Sequence, residues 1–186
     1  PEILDLNNTA GTSNLRLGVN AGNSIASGGN YNVVVGDEAG TALTTGDANV
    51  AVGYAALMTE DAASSSIAIG SSTLRNQNAG SGEAFNTAVG HNAGREVTTA
   101  TNNTLVGGLA GDALTTGSNN VAIGRDALGA DTAGQSNIAI GRLALGSQNF
   151  TSATNTYNIG IGTQAGGAIT TGVLNTLVGG LAGDAL

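Results

Sequence analysis

The chain has 186 residues, of which 40% are hydrophobic and only 3% aromatic, and it contains 31 glycines and no cysteine. Its acidic residues outnumber its arginines thirteen to five, lysine is missing, and the net charge is −8. This composition excludes a disulfide framework and a thiolate metal site, and it disfavours binding to nucleic acid or to an anionic membrane surface. No apolar run approaches the roughly 20 residues of a membrane-spanning helix, so we predict no membrane insertion in this segment.

Residues 1–13 precede the regular part of the sequence and are interpreted as a lead-in segment. From residue 14 to residue 186 the pattern Asn-x-x-aliphatic-Gly occurs ten times, and six of the nine intervals are 17 residues long, the others being 18, 20 and 21. The first and last positions of the pattern are Asn14 and Gly18, Asn32 and Gly36, Asn49 and Gly53, Ser66 and Gly70, Asn86 and Gly90, Asn103 and Gly107, Asn120 and Gly124, Asn137 and Gly141, Asn158 and Gly162, and Asn175 and Gly179. Such a repeat predicts a stacked array in which each unit contacts its neighbours.

A second period of 72 residues lies above the first, because every fourth unit carries a longer connection. The twelve residues NTLVGGLAGDAL occur at 103–114 and again at 175–186, one such period later. We therefore predict a superrepeat of four coils. Since the first copy continues with Thr115, Thr116 and Gly117, we expect the array to continue past Leu186 in a longer fibre, beginning close to Thr-Thr-Gly.

Each unit predicts a short strand, because Val, Ile or Thr alternates with a residue that is most often Ala. The glycine that follows allows the backbone to turn where a Cβ atom would clash. Seventeen residues are too few for a strand and a packed helix, so we expect two short strands and two turns in each coil. The predicted fold is an all-β parallel β-solenoid of about ten 17-residue coils, with a ladder of asparagine side chains along one corner.

Two other readings of the repeat are disfavoured. A flexible linker lacks aliphatic residues that recur in register. A helical solenoid would need more good helix formers than the Asn-, Gly-, Thr- and Val-rich units contain.

One face of the predicted strands is expected to remain exposed as an apolar stripe and to associate with other copies. The residues assigned to this stripe are Ala51, Leu105, Ala122, Ala139 and Leu177. Arg16 interrupts the stripe in the first unit and is interpreted as the mark of a capping end. A homotrimer is the preferred arrangement, with a dimer or a sheet-to-sheet filament contact as alternatives.

The units NVAIGRDAL at Asn120–Leu128 and NIAIGRLAL at Asn137–Leu145 resemble the head repeats of trimeric autotransporter adhesins of the YadA type. They resemble still more the N-T-A-[IV]-G-x-x-A-L-x(4)-T-T-G-x-N arrays of phage and environmental tail-fibre proteins. The resemblance implies a left-handed β-roll in each subunit, three subunits around one axis, and attachment outside a cell or on a virion. The 17-residue unit is longer than that of the adhesin heads, and the four-unit superperiod also departs from them.

The sequence predicts no catalytic residue, cofactor site or metal site. His91 is the only histidine and follows the repeat glycine directly, at a position whose residue varies between units. We interpret this position as part of a solvent-facing turn. The acidic pairs Asp37–Glu38 and Glu60–Asp61 are interpreted as surface residues that aid solubility. Asp112 and Asp184 are equivalent in the duplicated unit, and turn formation is a commoner role for aspartate than calcium binding.

Three of the five aromatic residues, Tyr31, Phe85 and Tyr157, stand directly before the pattern of their unit and close the three longer connections. The preferred interpretation is that each ring covers the end of the coil core beside the extra residues. The alternative is that the rings are stacking surfaces for sugars, as part of a contact with a cell-surface glycan or protein receptor.

The function expected from the sequence is that of a structural fibre or adhesin segment, the shaft or head of a phage-type tail fibre that attaches a virion to a host surface. The alternatives are a bacterial trimeric surface adhesin or extracellular filament protein and, less favoured, a polysaccharide depolymerase with an active site between chains. We expect no enzyme activity, so polysaccharides incubated with the protein should keep their chain length.

Overall fold

The computed structural model describes residues 11–184, which contain fourteen β-strands and no helix. Ten strands have three residues each, and four have two. In chain order they are β1 Leu15–Leu17, β2 Val33–Val35, β3 Val50–Val52, β4 Ala63–Ser64, β5 Ile67–Ile69, β6 Gly82–Glu83, β7 Thr87–Val89, β8 Thr104–Val106, β9 Val121–Ile123, β10 Gly134–Gln135, β11 Ile138–Ile140, β12 Thr154–Asn155, β13 Ile159–Ile161 and β14 Thr176–Val178. Within this part of the chain no helix is available to cross a membrane.

The three-residue strands form one parallel sheet of ten strands, each paired with the equivalent strand of the next unit. The register keeps equivalent residues opposite each other, as in the pairing of Val121 with Ile138 and of Ile138 with Ile159. Nine spacings of ~4.8 Å make this sheet roughly 43 Å long. The predicted all-β parallel solenoid is therefore confirmed. The second strand expected in every coil is found only as the pairs β4–β6 and β10–β12.

The repeat glycines turn the chain out of each strand and allow the coils to stack closely. All ten have φ between +127° and +140°, a region that side-chain-bearing residues rarely adopt. A Cβ atom on Gly124 would lie 2.6 Å from the carbonyl carbon of Gly141 in the next coil. Both conformation and space therefore require glycine at this position.

Left-handed residues account for much of each coil outside the strand. The residues two and four positions after each repeat glycine have φ between +47° and +67°, and the residue before each pattern has φ between +51° and +62°. Many of them are not glycine, Leu57 and Leu128 among them. A left-handed conformation costs such a residue about 1 kcal/mol. The coil therefore bends by turns instead of by a regular second strand.

The asparagine that opens each repeat closes the coil. In the unit of Asn103, the Nδ2 group donates to the carbonyl of Gly117 at 3.0 Å, and Oδ1 accepts the backbone N–H of Asn120 at 2.9 Å. The equivalent bonds recur at Asn32 and Asn49. The expected asparagine ladder is thus confirmed, and its main link runs from side chain to backbone. Amide-to-amide contacts, such as the 3.2 Å bond from Asn103 to Asn86, occur in addition.

Two kinds of coil alternate in pairs and fill the core in different ways. Four residues after the repeat glycine, one kind has glycine and the other has leucine. The glycines are Gly22, Gly40, Gly94, Gly111, Gly166 and Gly183, and the leucines are Leu57, Leu74, Leu128 and Leu145. Three residues further on, the glycine coils bury an aliphatic side chain, namely Ile25, Leu43, Val97, Leu114 or Ile169.

This aliphatic side chain occupies the space beside the glycine. A Cβ atom on Gly40 would lie 2.9 Å from Cδ1 of Leu43. In the leucine coils the leucine itself is fully buried, and the residue three positions on is polar. The 72-residue superrepeat therefore corresponds to two glycine coils followed by two leucine coils.

The polar residues of the leucine coils form buried pairs between adjacent coils. The Nε2 group of Gln77 donates to Oε2 of Glu60 at 2.9 Å, and that of Gln148 donates to Oδ2 of Asp131 at 2.6 Å. All four side chains are fully buried. Gln77 also donates to the hydroxyl of Ser66, the one unit that lacks the opening asparagine. The sequence-based placement of Glu60 on the surface is therefore wrong, because backbone and amide N–H groups around it replace water.

We predict that Asn103→Ala destabilises the fold strongly. The change leaves the buried carbonyl of Gly117 and the buried N–H of Asn120 without the partners that the asparagine side chain supplies. Each of the two lost partners costs about 1–3 kcal/mol, so chemical denaturation should show a loss of about 2–6 kcal/mol in the free energy of unfolding. Asn78→Ala, at an exposed asparagine, is the control and should change little. Equal stability of the two variants would contradict the role of the opening asparagine.

We also predict that Gln148→Ala destabilises the protein. It removes the side chain that donates to Asp131 and accepts the Nδ2 group of Asn158 at 2.8 Å. Leaving a buried, charged acceptor without its donor lowers the free energy of unfolding by about 3 kcal/mol. Gln135→Ala alters a partly exposed glutamine and is the matched control in the same denaturation measurement. A Gln148→Ala protein as stable as this control would show that the buried pair contributes nothing.

Candidate interaction surface

The outer face of the ten-stranded sheet is an aliphatic surface. The first and third residues of each strand point outward and are partly or fully exposed, whereas the middle residue is buried in β2, β3, β5, β7, β8, β9, β11 and β13. The outward residues are Leu15, Leu17, Val33, Val35, Val50, Val52, Ile67, Ile69, Thr87, Val89, Thr104, Val106, Val121, Ile123, Ile138, Ile140, Ile159, Ile161, Thr176 and Val178. We call this set the outer sheet face. It carries no charged residue.

This arrangement overturns the sequence-based assignment of the exposed stripe. Ala51, Leu105, Ala122 and Ala139 are fully buried inside the coils, and Leu177 is half-buried. The physical reason is packing, because the middle side chains point into the coil and join one buried cluster with the aliphatic side chains of the turns. The prediction of an exposed apolar stripe holds for the outer sheet face instead.

Arg16 is the exception among the middle residues of the sheet. It lies at the inward position of β1, is half-buried, and its Nε–H donates to the carbonyl of Ala21 at 2.8 Å. The guanidinium thus bonds to the turn of its own coil. The lead-in segment predicted at 1–13 lies largely outside the described residues, as does Leu186.

The outer sheet face is a continuous apolar surface that runs the length of the sheet. Three-residue strands make it ~10 Å wide, and ten strands make it roughly 43 Å long, so it covers about 400 Å² before side-chain relief is added. Most of its residues are half-buried, and the most exposed isoleucines include Ile67 at 37% and Ile69 at 39%. A contiguous apolar patch of about 300–600 Å² is the largest on a typical monomer, and such a patch is often functional.

The three aromatic residues before the pattern lie at the corner beside the outer sheet face. Tyr31 is 65% exposed, Phe85 55% and Tyr157 53%. Each is two residues before the first outward residue of its strand, as Tyr31 is before Val33. Each ring therefore projects from the corner with more than half of its surface accessible.

The charged side chains of residues 11–184 are mostly spread over the turns of the coils. His91 is exposed, as expected from the sequence, and so are Asp37, Asp61 and Asp184. Residues 11–184 contain no group of three His, Asp or Glu side chains that could hold a metal ion. The local ion pairs join sequence neighbours, as in the 2.7 Å contact between Arg95 and Glu96.

Asp112 is a partly buried acidic residue in a turn. Burial raises the pKa of its carboxyl, while its own backbone hydrogen bond and nearby Arg95 act in the opposite direction. The negative charges of Asp126 and Glu96 add to the rise in pKa. The direction of the pKa change thus reflects burial in the turn together with the charges of one nearby arginine and two nearby acids.

A surface concavity of about 410 Å³ lies over the turns near the end of the described chain. Leu143, Gln164 and Asp184 are among the residues that line it, and Asp184 is its single ionisable group. Glycoside hydrolysis normally uses two carboxyl groups on opposite sides of the bond that is cleaved. This lining therefore offers no such pair.

Sequence reasoning missed the two buried acid–glutamine pairs and chose the wrong strand face. The pairs had a detectable signal, because Glu60 and Gln77 are 17 residues apart and recur as Asp131 and Gln148. An acid and an amide at equivalent positions of adjacent coils indicate a contact between coils.

Comparisons with protein-family models, curated proteins and solved structures found no match.

We predict that a carboxylate on the two faces of β11 has opposite effects on folding. Ala139→Glu places the carboxylate in the filled coil interior and should abolish the β-type circular dichroism, because burying an unpaired charge costs several kcal/mol. Ile138→Glu places it on the outer sheet face, where water reaches it, and should preserve that signal. Ser147→Glu, at an exposed turn residue, is the control. Loss of the signal in Ile138→Glu with retention in Ala139→Glu would reverse the assignment of the two faces.

Proposed function

We propose that this chain is a structural segment of an extracellular fibre, the shaft or head of a phage-type tail fibre, in which three copies associate through the outer sheet face and hold an attachment surface away from the particle. The observation that carries the proposal is this face, an uncharged aliphatic surface along the whole solenoid. A solenoid with such a face gains stability when another copy covers it.

A mechanical role is supported by the way the coils are joined. Each coil is linked to the next by strand pairing, by the asparagine side chain and by turn backbone bonds such as Gly111 N–H to the carbonyl of Ala127 at 2.9 Å. The strand pairing is the same from coil to coil, so the array extends in one dimension. Coils that stack in one direction in this way form a rod.

Closure around one axis is supported by the shape of the face. It is long and ~10 Å wide, and it runs parallel to the stacking direction. Closed rotational symmetry covers the same surface in every copy and leaves none of it exposed. Three narrow faces around one axis satisfy this condition, and the resemblance to trimeric adhesin heads and tail-fibre arrays supports the same number.

An extracellular location and a role in attachment are supported by that resemblance and by the surface. Outside the sheet face, the exposed corners are rich in Ser, Thr, Asn and Gly. The net charge of −8 favours solubility and disfavours binding to nucleic acid.

We predict that the purified chain sediments as a trimer with β-type circular dichroism. Ile138→Glu combined with Ile140→Glu should shift it to a monomer, because two carboxylates per chain would be buried near those of the other copies. Ser147→Glu should remain trimeric. Sedimentation of the unsubstituted chain as a monomer over the whole accessible concentration range would contradict the proposal, and a stable dimer would replace the trimer by a two-fold contact.

A further inference from the structure

We propose that Tyr31, Phe85 and Tyr157, together with the polar residues of the connections that precede them, form stacking sites for a neutral glycan. This inference rests on the proposed role in attachment and names the chemistry of the receptor. The binding surface is the corner of the solenoid beside the outer sheet face, and the ligand is a polymer of uncharged pyranose sugars.

The three aromatic residues share one structural position. They occupy the left-handed residue before the pattern, with φ of 59°, 51° and 51°. The same position in the other coils holds Ser13, Ala48, Ser65, Asn102, Asn119, Ser136 and Leu174. The turn therefore forms with a small or polar residue in most coils and does not need a ring.

The aromatic side chains contribute little to folding at this position. Their exposed fractions of 53–65% leave most of each ring in water. A left-handed conformation costs a bulky residue about 1 kcal/mol, whereas asparagine tolerates it well. The left-handed backbone is common to this position in every coil, so what folding does not explain is the exposed ring, and tyrosine is enriched at interfaces where one end of its side chain is apolar and the other is in water.

The connections that carry the rings are held in place by carboxylates of adjacent coils. Oε2 of Glu60 accepts the N–H of Ala79 at 3.2 Å, and Oδ1 of Asp131 accepts the N–H of Phe150 at 2.9 Å. These bonds fix the start of the two longest connections, and β6 and β12 fix their ends by strand pairing.

The first aromatic position is anchored in a similar way. Oδ1 of Asp47 accepts the N–H of Asn30 at 2.6 Å, one residue before Tyr31. Ordered connections present the rings in one arrangement and reduce the entropy lost on binding.

Exposed polar side chains lie in the same connections as the rings, which suits a sugar site. The exposed side chains in the same connections are Ser27, Ser81, Glu83, Thr151, Ser152 and Asn155. The apolar C–H face of a pyranose removes the ring surface from water, while its hydroxyl groups can bond to these side chains. A neutral sugar is favoured because the protein has a net charge of −8 and Glu83 lies in one of the connections.

The spacing favours a polymer over a single sugar. The rings lie on one corner of the stack, separated by three and then four coils, which corresponds to ~14 Å and ~19 Å. A glycan chain along this corner could contact more than one ring, and each contact after the first becomes intramolecular. Several weak stacking contacts along one glycan chain would then give a higher overall affinity than any single contact.

The test measures binding of the whole chain to three neutral polysaccharides, dextran, galactomannan and xyloglucan, by saturation-transfer NMR and by affinity electrophoresis. The key variant is Tyr31→Ser with Phe85→Ser and Tyr157→Ser, since serine occupies this position in three other coils and should preserve the fold. Tyr54→Ser is the matched control, because Tyr54 is 55% exposed but lies after the repeat glycine. Alginate serves as the anionic polymer.

We expect at least one neutral polysaccharide to bind, the triple variant to bind about a hundredfold more weakly through the lost avidity, and the Tyr54→Ser protein to bind as the unsubstituted chain does. Failure to bind all three polymers, equal binding by the triple variant, or binding of alginate alone would overturn the inference. Sedimentation of the same samples separates the two proposals. A monomer that binds glycan through the rings refutes the assembly alone. A trimer that dissociates in the triple variant assigns the rings to the contact between copies and refutes the glycan site.

Discussion

The fold depends on the asparagine that opens nine of the ten repeats, because in seven of them this side chain closes its own coil and attaches the next one. In the unit of Asn103, one amide group bonds to a carbonyl fourteen residues later and to an N–H seventeen residues later. A shorter or apolar side chain would leave two buried backbone groups unpaired. This geometry sets the 17-residue period, since the chain must complete one coil and bring the next repeat beside the asparagine side chain of the previous one. Where Ser66 replaces the asparagine, Gln77 of the same coil supplies an amide to its hydroxyl.

The core obeys a second constraint, which is its small cross-section. Each coil has room for one large aliphatic side chain in the turn, and it comes either from the position four residues after the repeat glycine or from the position seven residues after it. In the leucine coils the second of these positions is taken by a buried acid or glutamine, so that two adjacent coils are linked by a polar contact. The same acids hold the start of the longer connections. The superrepeat thus connects the packing of the core with the display of the exposed corner.

Much of this architecture could be predicted from the sequence, since a 17-residue period with fixed Asn and Gly defines coil length, strand position and the corner of the asparagine ladder. The side of the strand that faces inward could not, because both faces of a unit such as Val121–Ile123 are apolar and alternation alone does not order them. The packing of the turns against one face of the strand decides which face is buried, and this packing is seen only in the structure. The burial of Glu60 was missed because its partner lies in the next coil. The left-handed leucines were missed because bulky residues rarely adopt that conformation.

In eight of the ten three-residue strands the middle residue is buried, and we propose that its two neighbours form a face that other copies cover. Because the chain has no cysteine, single cysteines introduced as Ile138→Cys, Ala139→Cys and Ile140→Cys can report on this directly through their rates of alkylation at several protein concentrations. We expect the cysteine at position 139 to be protected at every concentration, and those at 138 and 140 to react quickly in dilute solution and to become protected as the copies associate. Rapid alkylation at 139 would contradict the burial of the middle residue, and rates at 138 and 140 that do not change with concentration would contradict the association of copies through the outer sheet face.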